Sequence, residues 1–409
     1  MAAISYLIWL TTRDGIRADT AAGLLRHFGT AEAVYYADPK EYEQLSLPAR
    51  LYRTLLDKKL DGAERILETC DRQGISLLTC MDAAYPERLL QLNDYPLILY
   101  VKGTLPRVDG EVAIGMVGSR KCTPYGQTMA GRIAMDLARS GAVVVSGMAE
   151  GIDAASLKGA LQGGGRVISV LAGGVDVIYP ACNRWLYEDI QTSGALISEN
   201  PPGTRPEGWR FPIRNRIISG LSLGVLVVEA AERSGALITA HDALDQGRDV
   251  FAVPGPADAP MSGGTNQLIS HGEAKLIRSG WDILSEYTGQ YPQKLTFPPL
   301  LTVEEAEARL TPQPSRPERE APPPAPPEQP AEEALPLIDS DELAHLGDEQ
   351  REILLLLDGC KLTADDIVGR TDIPARRVNT ALTILQAQGY LKELPGRRYT
   401  AAVRFDQDR

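Results

Sequence analysis

Guanidinium groups and aromatic rings are concentrated in residues 209–222, which read WRFPIRNRIISGLS. Guanidinium groups neutralise phosphates and aromatic faces stack on unpaired bases, so the chemistry indicated is binding of single-stranded nucleic acid. The side chains concerned are Trp209, Arg210, Phe211, Arg214 and Arg216. The segment also fits an amphipathic helix whose inward face is formed by Ile213, Ile217, Ile218 and Leu221. Residue types alone leave both interpretations open.

Small and polar residues also follow several apolar segments that are predicted to be strands. These residues are Gly118, Ser119 and Arg120; residues 146–153, with Lys158 on the helix that follows; Gly173, Gly174, Asp176 and Tyr179; and Ser234 and Gly235. Backbone N–H groups in such turns can face a phosphate, and an arginine adds a charge-assisted contact. Because tight strand-to-helix turns need glycine anyway, one turn is weak evidence. Together the turns predict an anion-binding rim at one end of a sheet.

Catalytic machinery is not visible in the sequence. There is no Walker P-loop, no HExxH and no GxSxG motif, and none of the four histidines falls in the glycine-rich loops. Ser146 has no evident base, and the nearby Asp153, Asp176 and Glu229 fit helix caps, loop ligands or partners of arginines. The five cysteines form no CxxC pair, and no spacing suggests a zinc site. We expect a binding protein that is not an enzyme and requires neither metal nor cofactor.

Composition limits the partners and the location. The 409 residues are 44% hydrophobic and 23% charged, which is ordinary for a soluble globular chain of two or three domains. Because the net charge is −12 and the pI is near 5.0, nucleic acid must bind at a local basic patch within a repelling field. The apolar run at residues 4–10 is too short to span a membrane. We expect a cytoplasmic protein with reduced thiols and no membrane contact.

Apolar segments that alternate with helical ones predict a parallel sheet. Most of the predicted strands are apolar throughout, which is typical of strands covered on both faces. The first intervening helix is clearly delimited, because Thr123 fits an N-cap, Pro124 the first helical position and Gly141 the end. The fold class is therefore α/β with a Rossmann-like sheet, whose ligands lie beyond the carboxyl ends of the strands. The predicted strands are residues 112–117, 142–145, 166–171, 195–198, 224–229, 249–253 and 274–277.

The regions around this centre differ in composition. Residues 15–29 predict a turn and a short helix, belonging either to a module that grips the DNA backbone or to a packing domain without a ligand. Residues 64–103 predict a helix and a strand at the edge of the sheet. Residues 312–336 contain ten prolines and five glutamates, so they predict an extended tether without a core.

The chain beyond the tether predicts a winged helix. The predicted elements are helices at residues 349–358, 363–369 and 374–388 and a β-hairpin at 390–403 that turns at Pro395 and Gly396. From residue 376 to residue 404, six Lys or Arg stand against one Asp or Glu. A basic third helix and wing fit contact with duplex DNA, and contact with a protein is equally open.

Six segments occur in a characteristic order: MVGSRKCTPYG, SGMAEGIDAASLKGAL, GGVDVIYP, SENPPGTRPEGWRFPIRNRIISGLS, VVEAAERSGALITAHDALDQGRDVFAVPG and GTNQLISHG. Together they resemble the DNA-processing protein DprA family, also called Smf, over roughly residues 85–283. The resemblance implies a helical domain like a sterile alpha motif (SAM-like) before the sheet and a winged helix after it. It also implies a cytoplasmic bacterial protein that binds single-stranded DNA, protects DNA taken up in natural transformation and loads the recombinase RecA. Members of the family act as homodimers without a cofactor.

The resemblance further implies the residues that contact DNA in a pocket of the Rossmann-like domain. They are Gly118, Ser119, Arg120, Ser146, Gly147, Lys158, Arg214, Asn215 and Arg216. This sequence departs from the family at Glu150, where an arginine is frequent, and at Leu157, where a histidine is found. Loss of a positive charge at Glu150 would weaken binding or move the phosphate path. The homodimer contact corresponds loosely to residues 267–283.

Four domains follow from these observations, namely the SAM-like domain 1–62, the Rossmann-like domain 63–290, the Pro/Glu-rich linker 291–343 and the winged helix 344–409. Two other functions stay open. Similar Rossmann-like enzymes hydrolyse nucleoside monophosphates through a PGGxGTxxE motif, but residues 262–266 here lack the glutamate at that spacing. The third possibility is an adaptor whose C-terminal tail binds a protein partner.

Overall fold

The structure, a computed structural model, describes residues 2–295, 337–338, 345–394 and 398–405. The chain forms two compact units, Met1–Arg316 and Pro317–Arg409. The expected tether at residues 312–336 and the expected turn at Pro395 and Gly396 lie outside the described residues. The division into four domains is not decided by these two units and stays a prediction.

A nine-stranded sheet lies at the centre of the first unit. Its strands are β1 Ser76–Thr79, β2 Ile98–Gly103, β3 Ala113–Val117, β4 Val143–Ser146, β5 Val167–Val170, β6 Gly194–Ser198, β7 Gly224–Val227, β8 Asp249–Ala252 and β9 Lys275–Leu276. The spatial order is β1-β2-β6-β5-β4-β3-β7-β8-β9. Strands β3 to β9 run parallel, which confirms the α/β class and all seven predicted strands.

Two features of the strand order position a ligand site. Strand β3 lies between β4 and β7, so the chain direction across the sheet reverses there and a crevice opens at the carboxyl end of β3. At one edge, β2 is antiparallel to β6, and β1 is antiparallel to β2. The sequence predicted one strand within residues 64–103, whereas the structure has two, because the segment turns back on itself at the edge.

Helices cover both faces of the sheet. The helices of the first unit are α1 Ala2–Thr11, α2 Ala18–Phe28, α3 Ala31–Tyr36, α4 Pro39–Glu43, α5 Ala49–Leu55, α6 Asp61–Gln73, α7 Glu87–Leu90, α8 Pro124–Arg139, α9 Ile152–Gln162, α10 Arg184–Ser193, α11 Arg210–Leu221, α12 Ala236–Asp245, α13 Gly263–Ser270 and α14 Gly280–Leu284, with short 3-10 turns at Val108–Gly110, Ala181–Asn183 and Pro260–Ser262. Ile114 and Met116 of β3 pack with α8 and α9 in one core, and Ala113 and Val117 pack with α11 and α12 in the other. Alternate side chains of a strand point to opposite faces, so each face has its own helical layer.

The predicted boundaries of α8 are confirmed. The Thr123 hydroxyl accepts a hydrogen bond from the backbone N–H of Gly126 at 3.2 Å, and Pro124 is the first helical residue. The helix ends at Arg139, and Gly141 has φ +93°, a left-handed conformation that favours glycine. This capped helix begins directly after the loop that follows β3.

The N-terminal helices form a layer against the antiparallel edge of the sheet. The apolar run at residues 4–10 lies in α1, where Trp9 and Leu10 are fully buried. These side chains share a core with Ile98 and Tyr100 of β2. Helix α2 confirms the helix predicted within residues 15–29, while the SAM-like assignment stays a prediction. In the described part of the chain, every helix is too short or too polar to cross a membrane.

The second unit is small and has its own core. Its elements are strand Leu337–Ile338, helix Asp348–Leu356, strand Leu362–Thr363, helices Ala364–Val368 and Ala375–Ala387, and strands Leu391–Leu394, Arg398–Ala401 and Arg404–Phe405. The three predicted helices are present, and the strands of the predicted hairpin pair antiparallel. Ile353, Val378 and Leu385 are completely buried within this unit. The winged-helix assignment stays a prediction.

We predict that Asp242→Asn stabilises the protein at neutral pH. Asp242 lies on α12, and its Oδ2 is buried without a hydrogen-bond partner among the described residues. Burial, together with the charges of Asp245 and Asp94, raises the pKa of Asp242 to about 6. The stabilising effect of its protonation is complete below the ordinary carboxyl pKa and is lost as the pH rises through 6. At pH 7.5 the variant should be more stable by about 1 kcal/mol, after allowance for solvent screening.

Urea unfolding at several pH values measures this effect. The difference between variant and wild type should be small near pH 4, should grow up to about pH 6, and should then stay constant. Asp258→Asn, at an exposed position outside α12, is the matched control. An advantage of Asp242→Asn that is equal at both ends of the pH range would contradict the prediction.

Candidate nucleic-acid interface

Four loops at the carboxyl ends of the strands form one continuous surface, called the rim below. They follow β3, β4, β5 and β7 and comprise residues 118–123, 147–151, 171–180 and 228–235. The amino end of α11 adjoins them, because Phe211 lines the same pocket as Gly147 and Tyr179. The structure thus brings the α11 segment and the glycine turns together, as the sequence predicted for one end of a parallel sheet.

The carboxylate of Glu229, which is 3% exposed, organises the loop after β3. It accepts hydrogen bonds from the backbone N–H of Thr123 at 2.7 Å and from the Thr123 hydroxyl at 2.6 Å. The backbone carbonyl of Glu229 accepts a bond from the N–H of Ser119 at 2.8 Å. The Ser119 N–H is therefore bound to Glu229, while the expected phosphate contact of the turn stays a prediction. Glu229 acts as the loop ligand and cap partner that the sequence suggested.

Arg214 lies beneath the rim and is 4% exposed. Its Nη1 donates hydrogen bonds to the carbonyl of Gly147 at 2.7 Å and to the carbonyl of Val170. These carbonyls lie at the carboxyl ends of neighbouring strands, so one guanidinium group ties the loops after β4 and β5 together. A Cβ on Gly147 would lie 2.5 Å from the guanidinium nitrogens. Gly147 is therefore required by Arg214, a reason that sequence reasoning did not supply.

Asp153 supplies the negative charge opposite Arg214. Its carboxylate is 5% exposed and accepts hydrogen bonds from the backbone N–H groups of Ala149, at 3.3 Å, and Gly147. Burial raises the pKa of Asp153, against the opposing effect of the Arg214 charge. Burial lowers the pKa of Arg214 to about 10, with Asp153 opposing, so the guanidinium is charged at neutral pH. The two buried groups thus interact through their opposite charges under the rim.

Arg216 is also directed into the protein and is 7% exposed. Its guanidinium contacts the Glu199 carboxylate through two bonds of 2.7 and 3.0 Å and the Asp94 carboxylate at 2.8 Å. Burial lowers the pKa of Arg216, but the carboxylates of Glu199 and Asp94 outweigh burial and raise it above its ordinary value. Because both carboxylates bind the guanidinium, the Arg216 side chain supports the protein framework, and its expected phosphate contact stays a prediction. No motif in the sequence pointed to Asp94 or Glu199 as partners.

Arg120 is the exposed arginine of the predicted set. Its guanidinium lies 4.7 Å from the centre of the Phe211 ring, and the Phe211 ring centre is 5.8 Å from that of Tyr179. The Trp209 ring is 57% exposed, with the Arg210 guanidinium 4.2 Å from its centre. Cationic groups and aromatic faces are therefore adjacent at the surface, which is the combination that single strands bind.

The remaining predicted residues are divided between framework and surface. Ser146 is fully buried and donates its hydroxyl hydrogen bond to the carbonyl of Met116 at 2.6 Å. Gly118 permits close packing, because a Cβ there would lie 2.5 Å from the Ile152 side chain. Asn215 is half-buried, and its Oδ1 accepts a hydrogen bond from Arg214 at 3.3 Å. Lys158 is half-buried on α9, about 9 Å along the helix axis from its first residue.

The two departures from the family pattern have different consequences. Leu157 is fully buried in the core between α8, α9 and the sheet, so an apolar residue there is a packing choice. Glu150 is exposed in the loop after β4, where the Cys182 thiol donates to its carboxylate at 3.4 Å. Arg205 and Arg233 are also exposed at or beside the rim, and sequence reasoning did not single them out. Exposed charge of both signs is therefore present.

The helical interpretation of the α11 segment is also largely correct. Ile217, Ile218 and Leu221 are buried against the sheet, whereas Ile213 is 44% exposed. Binding surface and amphipathic helix are thus not exclusive, because the first turn carries the rings and the later turns carry the core contacts.

A sheet of this topology with a polar rim at its switch point defines a Rossmann-like ligand-binding protein. The family described as DNA recombination-mediator protein A matches residues 76–288. The DNA processing protein DprA of Bacillus subtilis is 44% identical over 222 residues, which cover 54% of this chain and 74% of that protein. The protein Smf of Escherichia coli is 40% identical over 250 residues, covering 61% of this chain and 66% of that protein.

The fold comparison agrees with the sequence comparison. The X-ray structure of DprA from Streptococcus pneumoniae is 33% identical, covers 69% of this chain and 97% of that chain, and superposes with a TM-score of 0.61. The chain belongs to the DNA recombination-mediator protein A family, which confirms the resemblance to DprA and Smf. The assignment of the nine individual residues as DNA contacts stays a prediction.

We predict that Gly147→Ala destabilises the protein strongly. The added methyl group would overlap the buried Arg214 guanidinium, which cannot move without losing its two carbonyl partners. Overpacking of this kind costs about 1–3 kcal/mol. Gly208→Ala is the control, because a Cβ at Gly208 meets nothing within 4 Å. Thermal unfolding should show a lower Tm for Gly147→Ala alone, and equal Tm values for both variants would contradict the close contact.

We predict that Arg216→Ala loses stability rather than only ligand contacts. Removal of the guanidinium leaves the Glu199 carboxylate, which is 18% exposed, without its partner. Breaking a buried ion pair from one side costs about 3–5 kcal/mol, and the partial exposure of Glu199 and Asp94 places this case near the lower figure. Urea unfolding measures the loss. An Arg216→Ala variant with the stability of wild type would show that the ion pairs do not support the fold.

Proposed function

We propose that this chain binds single-stranded DNA at the rim and acts there as a recombination mediator. The observation that carries the proposal is the exposed Arg120 guanidinium against the Phe211 ring, at the switch point of the sheet. A cation beside an aromatic face offers one group to a phosphate and another to an unpaired base. Membership of a family described as recombination mediators supports the same role.

The predicted DNA-contact residues take two roles in this proposal. Arg120 and Asn215 contact the strand directly, and Lys158 adds positive charge farther along α9. The other members support the rim from within and are Gly118, Ser119, Ser146, Gly147, Arg214 and Arg216. This division follows exposure, because Arg214 and Arg216 are buried and bonded to protein groups, whereas Arg120 is exposed.

Binding without bond cleavage fits the same geometry. The Ser146 hydroxyl is turned away from the rim toward the Met116 carbonyl, and the Asp153 and Glu229 carboxylates are engaged by backbone N–H groups. Each group therefore has a structural task that leaves it without a substrate-facing role. We infer that the protein is not an enzyme and that the rim holds its ligand through charge and stacking alone.

The partners and location of the family apply to this chain as proposals. We infer a cytoplasmic protein that protects incoming DNA and loads RecA onto it in natural transformation. A homodimer through residues 267–283 is consistent with β9, an edge strand whose Lys275 and Leu276 are both exposed and available for pairing. Exposed Arg376 and Arg377 on the helix Ala375–Ala387 support contact of the C-terminal unit with duplex DNA or a protein.

We predict that Arg120→Ala weakens binding to single-stranded DNA of any sequence. Loss of one phosphate contact should reduce the slope of log K against log salt by about 0.7. Fluorescence anisotropy with labelled oligonucleotides at several salt concentrations measures affinity and slope together. Arg53→Ala, which removes an exposed arginine from α5, is the matched control. Unchanged affinity and slope in Arg120→Ala would remove this arginine from the site.

A further inference from the structure

The loop after β5 is held in place by a residue that is buried in the core of the N-terminal helical layer. Its Val175 side chain is fully buried in the core of the N-terminal helical layer, together with Ile98 and Tyr100 of β2. The Tyr187 hydroxyl of α10 donates a hydrogen bond to the Val175 carbonyl. A rim loop therefore passes through the hydrophobic core of another part of the unit before it returns to the surface.

The same loop is tied to the chain segment that leads into α11. The Asp176 carboxylate accepts hydrogen bonds from the backbone N–H of Gly203 at 2.8 and 3.0 Å. The N–H of Gly174 donates to the carbonyl of Thr204 at 2.9 Å. Because residues 174–176 are held from both sides, the position of Tyr179 three residues later is restricted.

Tyr179 is the exposed end of this anchored loop. Its ring is 46% exposed and lies beside Phe211 with an angle of 56° between the ring planes. The cavity beneath the two rings has a volume of about 10 Å³, which is room for one water molecule and not for a base. A base therefore cannot enter this cavity, whereas the exposed part of the Tyr179 ring offers it a surface for stacking.

A structural role does not explain Tyr179. Tyr125 has nearly the same exposure, 45%, and its hydroxyl donates to the Pro254 carbonyl at 2.9 Å. The Tyr179 hydroxyl has no such hydrogen bond to any residue within the described part of the chain. A large ring kept at the surface beside the Arg120–Phe211 pair costs exposed apolar area, which a stacking partner would cover.

We propose that Tyr179 stacks on an unpaired nucleobase of the bound strand and that Val175 is the positioning residue that holds it in place. The inference rests on the proposed function and adds a neutral base subsite to the cationic phosphate contacts. Every base has a π face, so purines and pyrimidines are both accepted. The N-terminal helical layer then takes part in binding through Val175, although it contributes no side chain to the ligand.

Two oligonucleotides of about 16 nucleotides, oligothymidylate and an abasic strand of equal length, separate bases from phosphates. Tyr179→Ala should bind oligothymidylate about ten-fold more weakly, while binding to the abasic strand and the salt slope should stay unchanged. Tyr179→Phe should retain wild-type affinity, because the ring is preserved. Tyr36→Ala, which removes an exposed tyrosine of α3, is the control. Equal losses for both strands in Tyr179→Ala would overturn the base contact.

Val175→Ala tests the positioning role. It should lower the affinity for oligothymidylate a few-fold and leave the affinity for the abasic strand unchanged. Val175→Ile, which keeps a β-branched side chain, should retain the wild-type affinity for both strands. In the double variant, Val175→Ala should add nothing to Tyr179→Ala, because both act through one ring. Additive losses, or a loss shared by both strands in a protein that melts normally, would overturn the role of Val175. If wild type binds neither strand, the proposed function itself fails, whereas equal binding of both strands by wild type refutes only the base subsite.

Discussion

The buried guanidinium of Arg214 is the interaction on which the rim depends. It donates hydrogen bonds to backbone carbonyls at the carboxyl ends of β4 and β5, and its charge interacts with that of Asp153 in the first turn of α9. A buried charge is tolerated only when its donors and its charge are satisfied, so the two strand ends and the helix must keep their relative positions. The shape of the rim is therefore set before a ligand binds. The conformational entropy that its loops lose on binding is correspondingly smaller.

Buried and exposed arginines have different tasks around this centre. Arg214 donates hydrogen bonds to protein carbonyls and Arg216 to protein carboxylates, whereas the Arg120 guanidinium is exposed at the surface. The overall charge of −12 and the exposed Glu150 limit long-range attraction of a polyanion. In the proposed function, recognition at the rim therefore relies on short-range contacts, and aromatic stacking has a larger share than in a strongly basic protein.

The rim also connects parts of the first unit that are distant in sequence. Val175 links the loop after β5 to the N-terminal helical layer, and Arg216 links α11 to Asp94 in the segment between α7 and β2. A disturbance in either place reaches the rim through a packed core or an ion pair rather than through a mobile loop. Flanking elements outside the rim thereby help to set its shape.

The sequence by itself determined the α/β class, the seven parallel strands, the capped helix α8 and the gathering of glycine turns at one end of the sheet. These features follow from local periodicity, capping residues and strand-to-helix order, all of which depend on residues that are close together in the sequence. Only the tertiary structure decided that Arg214 and Arg216 are buried and that the Ser119 N–H faces Glu229. Those outcomes depend on partners such as Asp94, Asp153 and Glu199, which are brought close by folding. The charge of a side chain is a local property, but its availability to a ligand depends on which distant groups reach it first.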